Sequence, residues 1–386
     1  MNQFFGRTFL AFRSRAAASR GRYALLIHFL NYCQLGKTKE DRIKTVFGGG
    51  GHVVILGAGA SIASTLRNPE PNGKKLPSMD NFIDVVGLAD VVDNLPENLK
   101  AGNFEKLYSN LHNDNPNSEE ILEIERRVYN YFKDMKLPYN VATIYDYLVL
   151  SLRSRDLIAT FNWDPFLYEA FNRNSAFADM PRICFLHGSV AIGYSREDKR
   201  CGPVGGYLRR DGGYLEPTRL LYPVAKKNYN DNEFISVEWK MVKFWLNMDS
   251  TKRVTVFGYG APDTDVEAVE LLNTAWGTAD KRDMEQFEII DIRPESEGVE
   301  RWRNFIHSNH YDYENDYFSS SLARNPRRTF ESYHQHNMPL TIDEAFSESN
   351  PVPKDIITLR ELWDWHRPLV EAEAEWKREI ERHSKK

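Results

Sequence analysis

Five short apolar runs of one kind constrain this chain more than any other feature. They are His52–Leu56, Leu157–Phe161, Ile183–Leu186, Val254–Phe257 and Phe287–Ile292, and each ends in small, polar or acidic residues. A short apolar run bounded by turn-forming residues reads as a strand buried on both faces, the form strands take inside a parallel sheet. Helical stripes lie between several of the runs. Ser118 is placed to cap a helix whose first turn holds Glu119 and Glu120 and whose apolar face is Ile121, Ile124, Val128 and Phe132. Ile144, Tyr145, Leu148 and Leu152 form a second stripe, and Val266, Val269, Leu272 and Trp276 a third. Strands alternating with helices imply an α/β fold with a doubly wound, Rossmann-like parallel sheet, whose ligands bind beyond the carboxyl ends of the strands.

The 386 residues suffice for one decorated domain or two domains. Three parts are expected: a basic arm over 1–47, the α/β domain over 48–300, and a mostly helical extension over 301–386. No Asp or Glu occurs from Met1 to Lys39, so the arm reads as a loosely docked segment or, alternatively, a transit peptide. Gly48–Gly51 reads as a flexible hinge. Asn68–Lys75 and Arg196–Tyr214 read as irregular insertions. A late amphipathic helix runs through Leu359, Leu362, Trp376 and Ile380, with a break or restart expected at Pro368. No apolar run is long enough to span a membrane, and a net charge of −5 argues against a general nucleic-acid binder. Cys33, Cys184 and Cys201 are scattered and form no CxxC pair. Neither a zinc site nor a disulfide framework is indicated, and this usage fits a reducing cytoplasm.

The residues at the strand ends carry the chemistry. Gly57-Ala58-Gly59-Ala60-Ser61 follows the first run, offering close backbone approach and a helix start to a pyrophosphate, or simply a tight turn. The third glycine of a GxGxxG fingerprint is absent, which disfavours hydride transfer. Thr160-Phe161-Asn162-Trp163-Asp164 follows the second, with Asn162 and Asp164 projecting to one side of an extended chain. The alternatives are an Asx turn at Asn162 and a helix cap at Asp164 before Pro165. His187 follows the third run, as a structural histidine or a base for neutral pH. Gly258 and Gly260 follow the fourth, leaving room for a sugar or phosphate, and Asp263 and Asp265 read as helix caps. Asp291 ends the fifth, facing a ribose or lying in an exposed turn.

Taken in order, GAGxS, TxNxD, HG and a glycine-rich strand end resemble the sirtuin family over roughly Val53 to Arg293. The resemblance implies NAD as the ligand. It puts the pyrophosphate at Gly57, Ala58, Gly59 and Ser61, the nicotinamide ribose and nicotinamide at Thr160, Asn162 and Asp164, the base at His187, and the adenosine half at Gly258, Gly260 and Asp291. The four-cysteine zinc module of protein-deacylating sirtuins is missing. The first motif is followed by Leu76-Pro77-Ser78-Met79-Asp80 after an insert, in place of a GIPDFR-like stretch. These departures, with Leu221-Tyr222-Pro223, Lys226 and Lys227, are closer to the sirtuin-like NAD-hydrolysing domains of bacterial anti-phage systems. An NAD hydrolase is therefore expected, as a homo-oligomer or beside a partner such as an ATPase. A protein deacylase or ADP-ribosyltransferase, and a non-catalytic NAD or ADP-ribose sensor, are the alternatives.

Overall fold

The computed structural model describes residues 38–66, 76–206, 210–224, 227, 229, 232–282, 284–307, 311–337 and 348–384. The main sheet is built from β1 (Gly51–Leu56), β2 (Leu157–Thr160) and β3 (Arg182–Phe185). A small antiparallel sheet follows, made of β4 (Ile192–Ser195), β5 (Arg200–Pro203) and β6 (Glu216–Pro217). The main sheet resumes with β7 (Thr251–Phe257), β8 (Gln286–Ile290) and β9 (Tyr311–Glu314). Its six strands are all parallel, in the order β3-β2-β1-β7-β8-β9. This is the doubly wound, Rossmann-like arrangement: the winding reverses between β1 and β7, and a crevice opens there at the carboxyl ends.

The apolar runs become strands because both faces are covered. Val54 and Leu56 of β1 pack into one hydrophobic layer, and Val53 and Ile55 into the other. The first layer includes the helices Glu119–Lys133 and Ile144–Ser151, the second Glu233–Asn247 and Val266–Trp276. Ser118 caps the first of these through Ile121 N, as its position predicts.

Four expectations change. The sheet does not stop at residue 300, because β9 pairs with β8 inside the segment expected to be mostly helical. The insertion at Arg196–Tyr214 is not wholly irregular, since β5 lies within it. Gly48–Gly51 is not a free hinge: Trp376 packs on Gly48, Phe330 covers Gly50 at φ +83°, and Gly51 belongs to β1. The helix Leu359–Ser384 passes through Pro368 unbroken. An interior proline costs about 3 kcal/mol, and here burial of Leu362, His366, Leu369 and Glu373 on one face offsets it. Of the basic arm, residues 1–37 fall outside the described residues, as does the loop at Asn68–Lys75; Lys39–Lys44 is helical. Among the described residues no helix is long and apolar enough to cross a membrane.

Two buried carboxylates fasten the late helices to the sheet. Glu373 accepts from Arg327 Nε at 2.9 Å, Arg327 Nη2 at 2.6 Å and Arg328 Nη1 at 2.6 Å. Glu331 accepts from Arg153 Nη1 at 3.0 Å, Arg155 Nη2 at 2.5 Å and Phe47 N at 2.9 Å. Burial pushes the Glu373 carboxyl up, yet Arg327 and Arg328 hold it down at about 2. Removing one partner of a buried pair leaves an uncompensated charge, so Glu373→Gln is expected to destabilise the protein by about 3–5 kcal/mol. Denaturant unfolding of the variant checks this; an unchanged midpoint would show that the helix is held by its apolar face alone.

Candidate functional site

The turns after β1 and β7 lock against each other. Gly57 N donates to Phe257 O at 3.1 Å, and Gly59 N to Gly258 O at 2.9 Å. A Cβ on Gly59 would stand 2.8 Å from Gly258 Cα. Gly258 sits at φ +59°, and a Cβ there would stand 2.3 Å from Ala60 N. These glycines are thus required by backbone-on-backbone packing. Since the amides of Gly57, Gly59 and Ala60 bond within the chain, an anion at this turn would rely on the start of the helix Ala58–Leu66 and on nearby cationic side chains.

A cavity of about 430 Å³ opens over the locked turns. Gly57, Ala58, Gly59, Ser61, Asn162, Asp164, His187, Gly258 and Gly260 all line it. Thr160 and Asp291 do not. The Thr160 hydroxyl lies behind the wall, accepting from Asn162 N at 3.1 Å. Asp291 accepts from Arg293 Nε at 3.0 Å and Nη2 at 2.6 Å, so the side chain presented to the cavity is Arg293.

Asn162 does not form an Asx turn. Its Nδ2 donates to Gly57 O at 2.8 Å, to Ser61 Oγ at 2.9 Å and to Tyr145 OH at 3.1 Å. The amide donors, which could have faced a ligand, are engaged inside the protein; its Oδ1 has no partner among the described residues. Asp164 lines the cavity and also bonds the first turn of the next helix, whose N-cap is Pro165. Oδ1 accepts from Phe166 N at 3.1 Å, at the start of the helix Phe166–Asn174, and Oδ2 accepts from Ser61 Oγ at 2.7 Å. Burial pushes its carboxyl up to about 6, against the Ser61 hydrogen bond.

His187 lies beneath Phe161, edge to face with 4.8 Å between ring centres. Its Nε2 is buried without a hydrogen-bond partner among the described residues, 3.8 Å from Asp265 Oδ1. Burial, then the Lys227 ammonium, bring the imidazole down to about 3, with Asp265 opposing, so it is neutral near pH 7. Asp265 occupies the N-cap position of Val266–Trp276 but makes no side-chain cap. Its carboxylate pairs instead with Lys227 and accepts from Tyr259 OH at 2.8 Å. Asp263 does not line the cavity and pairs with Arg301 at the surface. Tyr145 read as one member of a core stripe, and Lys227 entered only beside Leu221-Tyr222-Pro223 in the resemblance to anti-phage domains; neither the Tyr145 bond to Asn162 nor the Lys227 pairing with Asp265 had a local sequence signal. Asp265 was visible only as a cap. Leu76, Pro77, Ser78 and Met79 form part of the rim.

Fold and site together define an α/β protein with a largely apolar cavity, carrying a few convergent polar side chains, at the switch point of a doubly wound sheet. No family model matches the chain, and no curated protein matches it. Among solved structures it is similar to a Sir2 homologue in complex with NAD, at 14% identity and a TM-score of 0.37, over 78% of this chain and 97% of that one. It is also similar to a Sir2 homologue variant in complex with 2′-O-acetyl ADP-ribose, at 12% identity and a TM-score of 0.35, over 71% and 89%. A group whose folded-state pKa is raised binds its proton more tightly in the native protein, so stability is lost as pH rises through the interval. For Asp164 that interval runs from the ordinary aspartate value of 3.8 to about 6. Stability of wild type relative to Asp164→Asn is therefore expected to fall between about pH 4 and pH 6 and to stay level outside it. Paired thermal melts across pH check this; parallel curves would contradict the buried, proton-holding carboxyl.

Proposed function

We propose that the chain is an NAD hydrolase that binds NAD in the switch-point cavity and releases nicotinamide and ADP-ribose. One observation carries this reading: Ser61, Asn162, Asp164 and His187, from three different strand ends, line a single cavity with the glycine turns after β1 and β7. The reaction breaks the bond between the ribose C1′ and the pyridinium nitrogen. The bonding pair goes to that nitrogen, which becomes neutral, so the leaving group needs no general acid, unlike an ordinary glycoside. Water then bonds to C1′ and gives up a proton.

The residues present suit these needs. An ionised Asp164 faces the positive charge that the pyridinium carries and the ribose inherits. Asn162 fixes Ser61 and the Gly57 turn through Nδ2, and its Oδ1 is left to accept from water or a ribose hydroxyl. The neutral imidazole of His187 takes the proton. It is a weak base in the empty chain, but water bonding to an oxocarbenium-like carbon becomes strongly acidic, so a weak base suffices. Arg293 supplies positive charge to the cavity wall for the pyrophosphate, while the charge of Lys227 is taken up by Asp265, and Thr160 and Asp291 act from behind it. Among the described residues there is no group of three His, Cys, Asp or Glu side chains able to hold a metal ion, and no step here calls for one. Residues 48–300 with β9 form the catalytic unit in this reading. The setting proposed with it is NAD depletion in anti-phage defence, by a homo-oligomer or beside a partner such as an ATPase, and it rests on the motif resemblance.

The test is incubation of the purified protein with NAD and no acyl-peptide, with release of nicotinamide and ADP-ribose measured. His187→Ala should fold normally and lower release by at least about a hundredfold. Near-wild-type turnover by that variant would overturn the role of His187, and NAD consumption only with an acyl-peptide present would make the chain a deacylase.

A further inference from the structure

A second cavity, of about 530 Å³, shares no lining residue with the first. It takes Arg253 from β7, Gln286 from the start of β8 and Tyr311 from the start of β9, so it lies toward the amino ends of the strands, opposite the first. Arg42 and Arg253 both line it, and both are buried, at 2% and 3% exposure. Arg42 Nε donates to Glu348 O at 2.6 Å, and Arg253 Nη1 to Thr329 O at 3.3 Å. Beyond these bonds, Arg42 Nη1 and Nη2 and Arg253 Nε and Nη2 have no hydrogen-bond partner among the described residues.

The nearby carboxylates do not discharge them. Glu331 acts on Arg42 only through space and is held by Arg153 and Arg155. Glu288 and Asp312 act on Arg253 in the same way, Glu288 while accepting from Thr255, Ser321 N and Ser321 Oγ, and Asp312 while accepting from Gln286 Nε2 at 2.7 Å. Guanidinium groups stay charged in proteins, and buried charges without partners are strongly disfavoured. Two buried cations in the wall of one cavity, with four unpartnered donor nitrogens lying just beneath its surface, are therefore a half-built anion site.

We propose that this cavity binds a phosphate monoester, with Arg42 and Arg253 holding the phosphate oxygens. The negative charges of Glu285 and Asp312 in its wall oppose an extended polyanion, and a volume of about 530 Å³ leaves room beside one phosphate head for the rest of an ester. A carboxylate would satisfy fewer of the free donors than a three-oxygen phosphate head. The occupant does not compete for the switch-point cavity, so its binding is independent of the activity proposed above.

The experiment uses the full chain with two probes, inorganic phosphate and adenosine monophosphate, followed separately by calorimetry. The expected result is one site per chain for each, with Kd in the millimolar range or tighter, weakened at least about tenfold by Arg253→Met and by Arg42→Met. Phosphate alone binding would identify the anion as the whole ligand and overturn the ester. Equal binding by both variants, or loss only on Arg293→Met, would place the anion in the first cavity and overturn the site. Should the methionine variants fail to fold, phenylglyoxal labelling of wild type decides: phosphate should protect Arg42 and Arg253, and absence of protection would refute the proposal. None of these outcomes depends on whether NAD is cleaved.

Discussion

The contact on which the site depends is between two backbones: the turn after β1 seated in the turn after β7, with Gly59 N on Gly258 O. There is no room between them for a methyl group. The contact fixes the position of Gly57 O, which receives the Asn162 amide. Asn162 in turn orients Ser61, and Ser61 donates to Asp164. The polar groups from the first two strand ends therefore form one chain of hydrogen bonds hung from a close fit of glycines, in a buried setting where such a chain is either fully satisfied or costly.

Charge in the site is divided between two compartments. Near Ser61 burial raises the Asp164 carboxyl to about 6, leaving it mostly ionised at neutral pH. Near His187 the pair of Lys227 and Asp265 balances itself and leaves the imidazole neutral. The cavity therefore carries little net charge of its own.

The strands and their order of use were legible because burial on both faces writes itself as uninterrupted apolar residues, as in Val53-Val54-Ile55-Leu56. β9 was not, since Tyr-Asp-Tyr-Glu at the sheet edge is only half buried and carries no such run. The motif residues were legible as strand-end residues, and nine of them meet in one cavity. Their duties were not. Whether Asn162 offers its donors to a ligand or to Gly57 depends on where another loop lies, and no local pattern encodes that. Lys227, Asp265 and His187 come together from three separate segments, so their meeting is a property of the fold alone. Pro368 misled for the reverse reason: local preference favoured a break, and packing overrode it.

The fastening of Glu373 to Arg327 and Arg328, and of Trp376 to Gly48, has a consequence during synthesis. β1 enters the nascent chain early, but its central neighbour β7 and the helix that covers Gly48 are made much later. Domains fold as units as they leave the ribosome. The crevice between β1 and β7 cannot exist on a chain halted before β7, and its far-side fastening waits for Glu373. A growing polypeptide therefore carries the first three motifs long before it carries the cavity, and a product truncated before β7 would lack the crevice altogether.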